Sequence, residues 1–232
     1  RCLNRPIYLF DVVCNYLKQW PPTFVSFDFS CSIYVRSKKS AHRVLKSITK
    51  YIEEGLKLKV NKEKSKVSRP VESTLLGFSF YCEKGKWTIR IAKKSIKRIK
   101  EKSKAITARN NGMNTTQKIA KMEPIIKGWV NYFSIAKAKS VMQELDECVR
   151  TRLRMGLWKE WKNCKTRVKH LLDLKASKQK SYEWGNSSKG YCRVAHSPIL
   201  CRTLNNAHFS KLGYVSFYRT YIVLTETQPS LF

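Results

Sequence analysis

Acidic side chains are scarce in this sequence: 16 Asp and Glu stand against 47 Lys and Arg, a formal net charge of +31. A folded chain tolerates that self-repulsion most easily when a polyanion neutralises it. Nucleic acid is therefore the leading partner class, with an anionic membrane surface as the competitor. The basic residues are spread over several amphipathic segments instead of one tail, which favours nucleic acid. No uninterrupted apolar run approaches the ~20 residues of a membrane span. The stretch "PIYLFDVVCNYL" is short, is broken by Asp11 and Asn15, and lacks the flanks of a signal peptide. Internal repeats and low-complexity linkers are missing as well.

Metal-binding spacing is another absence. None of the eight cysteines (Cys2, Cys14, Cys31, Cys82, Cys148, Cys164, Cys192 and Cys201) forms a C-x-x-C pair, and the four His are not placed to complete a zinc site. Cys148 sits between Leu145 and Val149 on an apolar face. The thiols are expected to be free and buried in a reducing, cytoplasmic setting. The first residue is Arg1, not Met, so the chain is expected to be a piece of a longer protein.

What is present is enough apolar side chain, 42% of the residues, for packed cores. Residues 8–20 read as an amphipathic helix ending at Pro21-Pro22. Residues 23–36, containing "TFVSFDFSCSIYV", read as a hairpin that turns at Phe27, Asp28, Phe29 and Ser30. Ala41, Val44, Leu45, Ile48, Tyr51 and Ile52 recur at helical spacing over 38–55, with Gly55 as the stop. "LKLKV" (56–60) alternates like a strand, and "TLLGFSFY" and "KWTIRIA" flank a second hairpin turning near Gly85. After Ala92 the pattern turns helical: a basic helix from Ser95 to about Arg109, then one capped by Thr115 or Thr116 whose Pro124 predicts a kink or a later start. A third helix spans about Lys139–Lys162. "TRVKHLLDL" is a short helix, and "SPILCRTLNNAHFSKLG" has Ser197 at the N-cap, Pro198 in the first turn and Gly213 past the end.

Eight segments, in order, carry a resemblance: "CSIYVRSKKSAHRVLKSITKYI", "LKLKVNKEKSKV", "LLGFSFY", "IAKKSIKRIKEK", "GWVNYF", "RLRMGLWKEWK", "SSKGYCR" and "RTLNNAHF". Together they resemble the bacterial group II intron reverse transcriptase/maturase family, from about Phe24 to about Tyr221. The fold class this implies is α+β. Residues 1–92 would be the C-terminal part of a reverse-transcriptase palm with β-hairpins. Residues 93–162 would be an all-α thumb or maturase domain X, and 163–232 a C-terminal basic helical region. No endonuclease of the H-N-H type is present in the sequence, as in the shorter members. The implied partner is group II intron RNA, with a DNA target as a further polyanion, and no membrane.

The family's activity is RNA-directed DNA polymerisation with Mg²⁺, driven in part by a Y-A-D-D hairpin. The matching positions here are Phe27, Asp28, Phe29 and Ser30, so the metal-binding pair falls on Phe29 and Ser30 and Asp28 is one residue early. Two metals ~4 Å apart need several anionic oxygens. Phe29 supplies none and Ser30 only a neutral hydroxyl, so no catalytic residue and no cofactor is expected here. Asp28 reads more simply as a turn residue bonding its own backbone.

Lys64 in "VNKEKSKV" is either a residue near nucleotide or template, as the resemblance implies, or part of a solvated turn. Leu76 and Gly77 are either a primer grip or a Gly bulge. The nucleic-acid candidates with the stronger residue-level argument are Lys93, Lys94, Lys97, Arg98, Lys100, Arg150, Arg152, Arg154, Lys159 and Lys162, which offer phosphate contacts and bidentate guanidinium forks. Trp161 is expected in the core, while Trp158 is open between core and base stacking. Lys189, Tyr191, Arg193, Arg202, Asn205 and Asn206 match family segments; the two Asn could equally bond neighbouring backbone. The alternative to an intron maturase is a generic basic RNA-binding scaffold.

Overall fold

The computed structural model describes residues 8–17, 26–35, 37–63, 65–69, 71–83 and 86–227, with residues 8–17, 26–32, 34 and 86 described by their backbone alone. Two compact units, Arg1–Ala92 and Lys93–Phe232, make up the chain. The first mixes strands with a helix and the second is helical, an α+β chain.

In the first unit, β1 (Tyr8–Leu17) pairs antiparallel along its whole length with β2 (Ser26–Val35). Its other edge takes β3 (Lys59–Val60) and β4 (Lys66–Ser68). Between β2 and β3 in sequence runs α1 (Lys38–Lys50), continued by a π-helical turn over Tyr51–Gly55. Ser37 caps α1 by accepting a hydrogen bond from the Ser40 amide at 3.1 Å. Ala41, Ile52 and Val60 are buried at the centre of this unit, packed by Val44, Leu45, Ile48 and Val67. A separate antiparallel sheet holds β5 (Thr74–Leu75), β6 (Phe78–Glu83) and β7 (Lys86–Ile91).

Three expectations change here. Residues 8–17 form a strand, not a helix. "YLFDVVCNYL" is rich in the β-branched and aromatic side chains that favour strands, and both edges of the strand find partners. The turn expected at Phe27–Ser30 is uninterrupted strand: Phe27, Asp28, Phe29 and Ser30 face Tyr16, Asn15, Cys14 and Val13 on β1. A hairpin is thus made by 8–35 rather than within 23–36, and Pro21-Pro22 lies outside the described residues. In "LKLKV" only Lys59–Val60 is strand, because Lys57 adopts a left-handed φ of 56° that ends the alternation. Gly85 also lies outside the described residues.

The second unit is built on α2 (Lys93–Ile106), α3 (Thr115–Phe133) and α4 (Lys139–Glu160). Ile119, Met122, Ile126, Val130 and Phe133 recur every three or four residues on α3 and are all buried. So are Met142, Leu145, Val149, Leu153 and Leu157 on α4. Each such side chain contributes about 1.5–3 kcal/mol by leaving water. The cap of α3 is Asn114, not Thr115 or Thr116. Its Oδ1 accepts from the Gln117 amide at 2.8 Å while Gln117 Oε1 accepts from the Asn114 amide at 3.1 Å, a reciprocal box that satisfies two helix-end donors. Thr115 instead donates its hydroxyl to Glu160 Oε1 at 2.8 Å. Pro124 lies inside α3, nine residues after its start, so the later start is not needed. Pro124 and Ala120, whose carbonyl loses its helical donor, are both exposed.

Shorter helices follow: α5 (Cys164–Asp173), α6 (Lys178–Gly185), α7 (Tyr191–Ala195), α8 (Pro198–Thr203), α9 (Asn206–Lys211) and α10 (Phe217–Thr227). Gly185 lets α6 approach α5 closely: a Cβ there would lie 2.4 Å from Val168 Cγ2. Ser197 caps α8 with Pro198 first, as expected, but the helix stops at Thr203. Asn205 then caps α9, its Oδ1 accepting from the His208 amide at 3.0 Å. The thiols correct the sequence expectation. Cys82, Cys164, Cys192 and Cys201 are free but exposed, and Cys148 is half-buried, because these positions fall on solvent-facing sides of their elements.

The tie between α4 and α10 is Asp146, buried to 1% exposure. Its Oδ1 accepts from Tyr214 Oη at 2.8 Å and the Phe217 amide at 2.9 Å, and its Oδ2 from Ser216 Oγ at 2.5 Å and the Tyr218 amide at 2.9 Å. Asp146 thereby closes the N-terminus of α10, where a negative charge also meets the positive end of the helix dipole. Tyr221 Oη, one turn on, donates to Ala136 O at 2.9 Å and fixes the α3–α4 connection. Asp146→Ala strands these donors in the core. The expected loss is about 3 kcal/mol or more, roughly 6–12 °C in melting temperature, read by thermal denaturation.

Burial, reinforced by the Asp146 carboxylate, raises the Tyr214 phenol well above its usual pKa of 10.0. Above pH ~10 the unfolded chain sheds this proton before the folded one, so stability falls as pH rises through that range. Tyr214→Phe is expected to flatten this alkaline decline in urea titrations between pH 8 and 11. An unchanged slope would contradict it.

Candidate nucleic-acid interface

Lys93, Lys97, Lys100 and Lys104 recur at four-, three- and four-residue intervals, so they form one stripe along α2, about 16 Å from end to end. The α2 N-terminus has no acidic residue in its first turn and carries Lys93 and Lys94 where the helix dipole repels cations. A helix optimised for its own stability would carry the opposite charge there, and local rules are broken most often where function requires it.

The stripe faces α4 across a groove of about 330 Å³ lined by Lys93, Ile96, Lys97, Lys100, Glu101, Lys104, Cys148 and Arg152. Five cations against one carboxylate make the lining strongly positive. Lys97 lies 3.9 Å from Glu101, both well exposed, and Lys100 Nζ is paired with Glu144 of α4. Such exposed pairs are worth about 0.2–1 kcal/mol and yield readily to a phosphate. Arg152 also supports the helix itself: its Nε donates to Thr107 Oγ1 at 2.6 Å, and its terminal nitrogen to Lys104 O at 3.0 Å, clasping the C-terminal end of α2.

Beyond the groove, Lys159 Nζ donates to Arg109 O at 2.7 Å, and the Arg109 guanidinium stacks 4.6 Å from the centre of the Tyr191 ring. Lys118, on the inner face of α3, is buried; desolvation lowers its pKa, Glu160 opposes that shift, and Lys159 and Arg152 add to it. Sequence reasoning overlooked Lys118 and Arg109. Periodicity could have found Lys118, which lies four residues before Met122 in the apolar stripe of α3.

The other candidate side chains separate into two groups. Lys94, Arg98, Lys159, Lys162, Lys189, Arg193, Arg202 and Asn206 are exposed, with Lys189 Nζ 4.5 Å from the Trp184 ring centre. Arg154 is turned inward: it is buried, its Nε donates to Leu204 O at 3.1 Å, and desolvation lowers its pKa. Arg150 is half-buried on another face of α4. Trp158 is 1% exposed and Trp161 is buried beside it, so both belong to the core, and the base-stacking option for Trp158 is closed. The Arg167 guanidinium covers the Trp158 ring at 4.8 Å.

In the first unit, Lys64 lies outside the described residues. Leu76 and Gly77, with φ of 50° and 83°, are the two central residues of a tight turn joining the paired Leu75 and Phe78. Both positive φ values identify a type I′ hairpin turn in place of a bulge. Gly77 O accepts from the Ala92 amide at 2.9 Å. Leucine in this conformation costs about 1–2 kcal/mol, yet Leu76 stands 74% exposed at the tip.

The donor set at 27–30 does not suit a pair of magnesium ions. The other nearby carboxylate on the paired strand, Asp11, faces Ser32, four residues along from Asp28 and about 13 Å away at strand spacing. Among the residues whose side chains are described, no group of three His, Cys, Asp or Glu could hold a metal ion. Among the described residues, no helix is long and apolar enough to cross a membrane.

Residues 96–174 match the family model for the group II intron maturase-specific domain. The matched stretch contains most of α2, all of α3 and α4, and α5, and with them nearly the whole of the cationic groove. No curated protein matches the chain.

Proposed function

We propose that the chain is a member of the group II intron maturase family, whose maturase-specific domain model matches residues 96–174, and that its helical unit binds intron RNA through the α2–α4 groove and so supports the splicing-competent fold of that RNA. The observation that carries this is the single stripe of Lys93, Lys97, Lys100 and Lys104 opposite Arg152 in a groove with one lining carboxylate. Phosphate and shape recognition suit that lining. A-form RNA hides its base edges in a deep groove, and a protein meets it mainly through its backbone. The exposed Lys94, Arg98, Lys162, Arg193 and Arg202 extend the positive field around the groove.

The first unit is proposed to be the C-terminal part of a reverse-transcriptase palm. Leu76–Gly77 is its nucleic-acid-facing turn, and Lys64 a further contact. Its Phe27-Asp28-Phe29-Ser30 segment makes this polypeptide inactive as a polymerase on its own. A DNA target is a second polyanion the same groove can hold.

Filter-binding titrations of a structured intron RNA between 50 and 200 mM salt test the proposal. Affinity should fall steeply with salt. Lys97→Glu and Lys104→Glu should each weaken binding across sequences and reduce the salt slope by about one per lost phosphate contact. Salt-independent affinity, or groove variants that bind like the parent, would exclude it. Competition by an unrelated structured RNA at equal potency would point instead to a generic basic scaffold. Primer extension with Mg²⁺ is expected to give no template-dependent product.

A further inference from the structure

A second cleft, of about 570 Å³, opens between α4, α9 and α10. Its rim carries Arg150, Asn206, Ser210 and Arg219, and one wall is formed by Tyr218 and Val223. Residues 150 and 152 are two positions apart on α4, so they point to nearly opposite sides of that helix. The cleft and the α2–α4 groove are therefore separate surfaces with α4 between them, about 10–12 Å across.

The chemistry of the cleft selects an anion with a flat apolar part. No Asp or Glu lines it, and it presents two guanidinium groups. Arg150 Nε is buried and donates to no acceptor among the described residues. Asp146, the carboxylate beneath the cleft, does not compete for these donors, because four hydrogen bonds from Tyr214, Ser216, Phe217 and Tyr218 occupy its oxygens. Tyr218 is half-buried, with Lys139 Nζ 5.8 Å from its ring centre, and Val223 is 54% exposed, so the aromatic ring and an aliphatic edge both line the cleft beside a further cation. The volume is within the ~300–1,000 Å³ of small-ligand pockets.

We propose that this cleft holds one unpaired nucleotide of the bound RNA, its phosphate on Arg150 and Arg219 and its base against Tyr218 and Val223. The proposal rests on the RNA-binding reading above but concerns a different surface. A nucleotide uses both halves of the cleft, whereas inorganic phosphate would use only the arginines. Unpaired nucleotides are also the part of an RNA that can leave the stack and lie on an aromatic side chain.

Two probes of the full chain decide it. The first is AMP, titrated by ligand-observed NMR beside adenosine and inorganic phosphate. The second is a pair of RNA hairpins, identical but for one bulged adenosine. AMP should bind at least about tenfold tighter than adenosine or phosphate alone, and the bulged hairpin about tenfold tighter than the paired one, the scale of one base–aromatic contact. Arg219→Glu and Tyr218→Ala should abolish both preferences and leave the paired hairpin's affinity at the parent value.

AMP binding no better than phosphate, a bulge preference of one, or variants that keep either preference would overturn the proposal. Lys97→Glu serves as the control on the other surface. If it leaves the paired hairpin unaffected, the groove assignment fails, while the AMP titration still decides the cleft.

Discussion

Removing a carboxylate from water is costly unless every lone pair finds a donor, and Asp146 meets that condition with two side-chain hydroxyls and two backbone amides. The same contacts close the N-terminus of α10 and hold the 214–218 segment against the middle of α4. Phe217 is thereby seated 5.9 Å from the Trp129 ring, edge-on, and Tyr221 reaches the α3–α4 connection. The helical unit depends on this arrangement because α4 serves two surfaces. One side of α4 faces the lysine stripe of α2, and another, at Arg150, faces the cleft under α10. A shift of α4 would alter both.

The cations of this unit divide by role according to burial. Arg154 is enclosed and bonded to a carbonyl, and Arg152 clasps the end of α2 while still lining the groove. Only the side chains with exposed heads, Lys93, Lys94, Lys97, Arg98 and Lys104 among them, offer charge to a ligand without weakening the fold. A large formal charge is thus not uniformly available. Burial does not follow cation type: Arg154 and Lys118 are enclosed, whereas Arg98, Arg193 and Arg202 stand exposed.

Helices with a well-spaced apolar stripe could be read from the sequence nearly to their ends. The span of α4, the N-cap at Ser197 and the stop near Gly55 follow from periodicity and end chemistry alone. Strand β1 could not be read that way, because Asp11 and Asn15 fall four residues apart in an apolar run and imitate a helix, while the partner strands that fix it lie elsewhere in the sequence. The turn expected at Asp28 failed for a related reason: an aspartate between two phenylalanines looks like a turn until the partner strand upstream is recognised. The division between α8 and α9 was carried by Asn205, a side chain read as a candidate contact that instead caps a helix. At the candidate site the lysines of α2 were visible, but not which arginines of α4 turn inward, since Arg150, Arg152 and Arg154 are chemically identical and differ only in the neighbours that the fold supplies. Burial of Trp158 likewise depends on packing that spacing alone did not resolve.

The α2 helix has a consequence of its own. Lysines at 93, 97, 100 and 104 repel one another along one face, and Lys94 adds to Lys93 at its positive end. A peptide of this sequence has little reason to coil by itself. In the protein its order is borrowed from α4, through the Arg152 clasp and the burial of Ile99 and Ser103. Helix formation in α2 and neutralisation of the stripe are therefore thermodynamically linked: any polyanion that relieved the mutual repulsion would also favour the helix, and the rigidity of this segment would report on such binding.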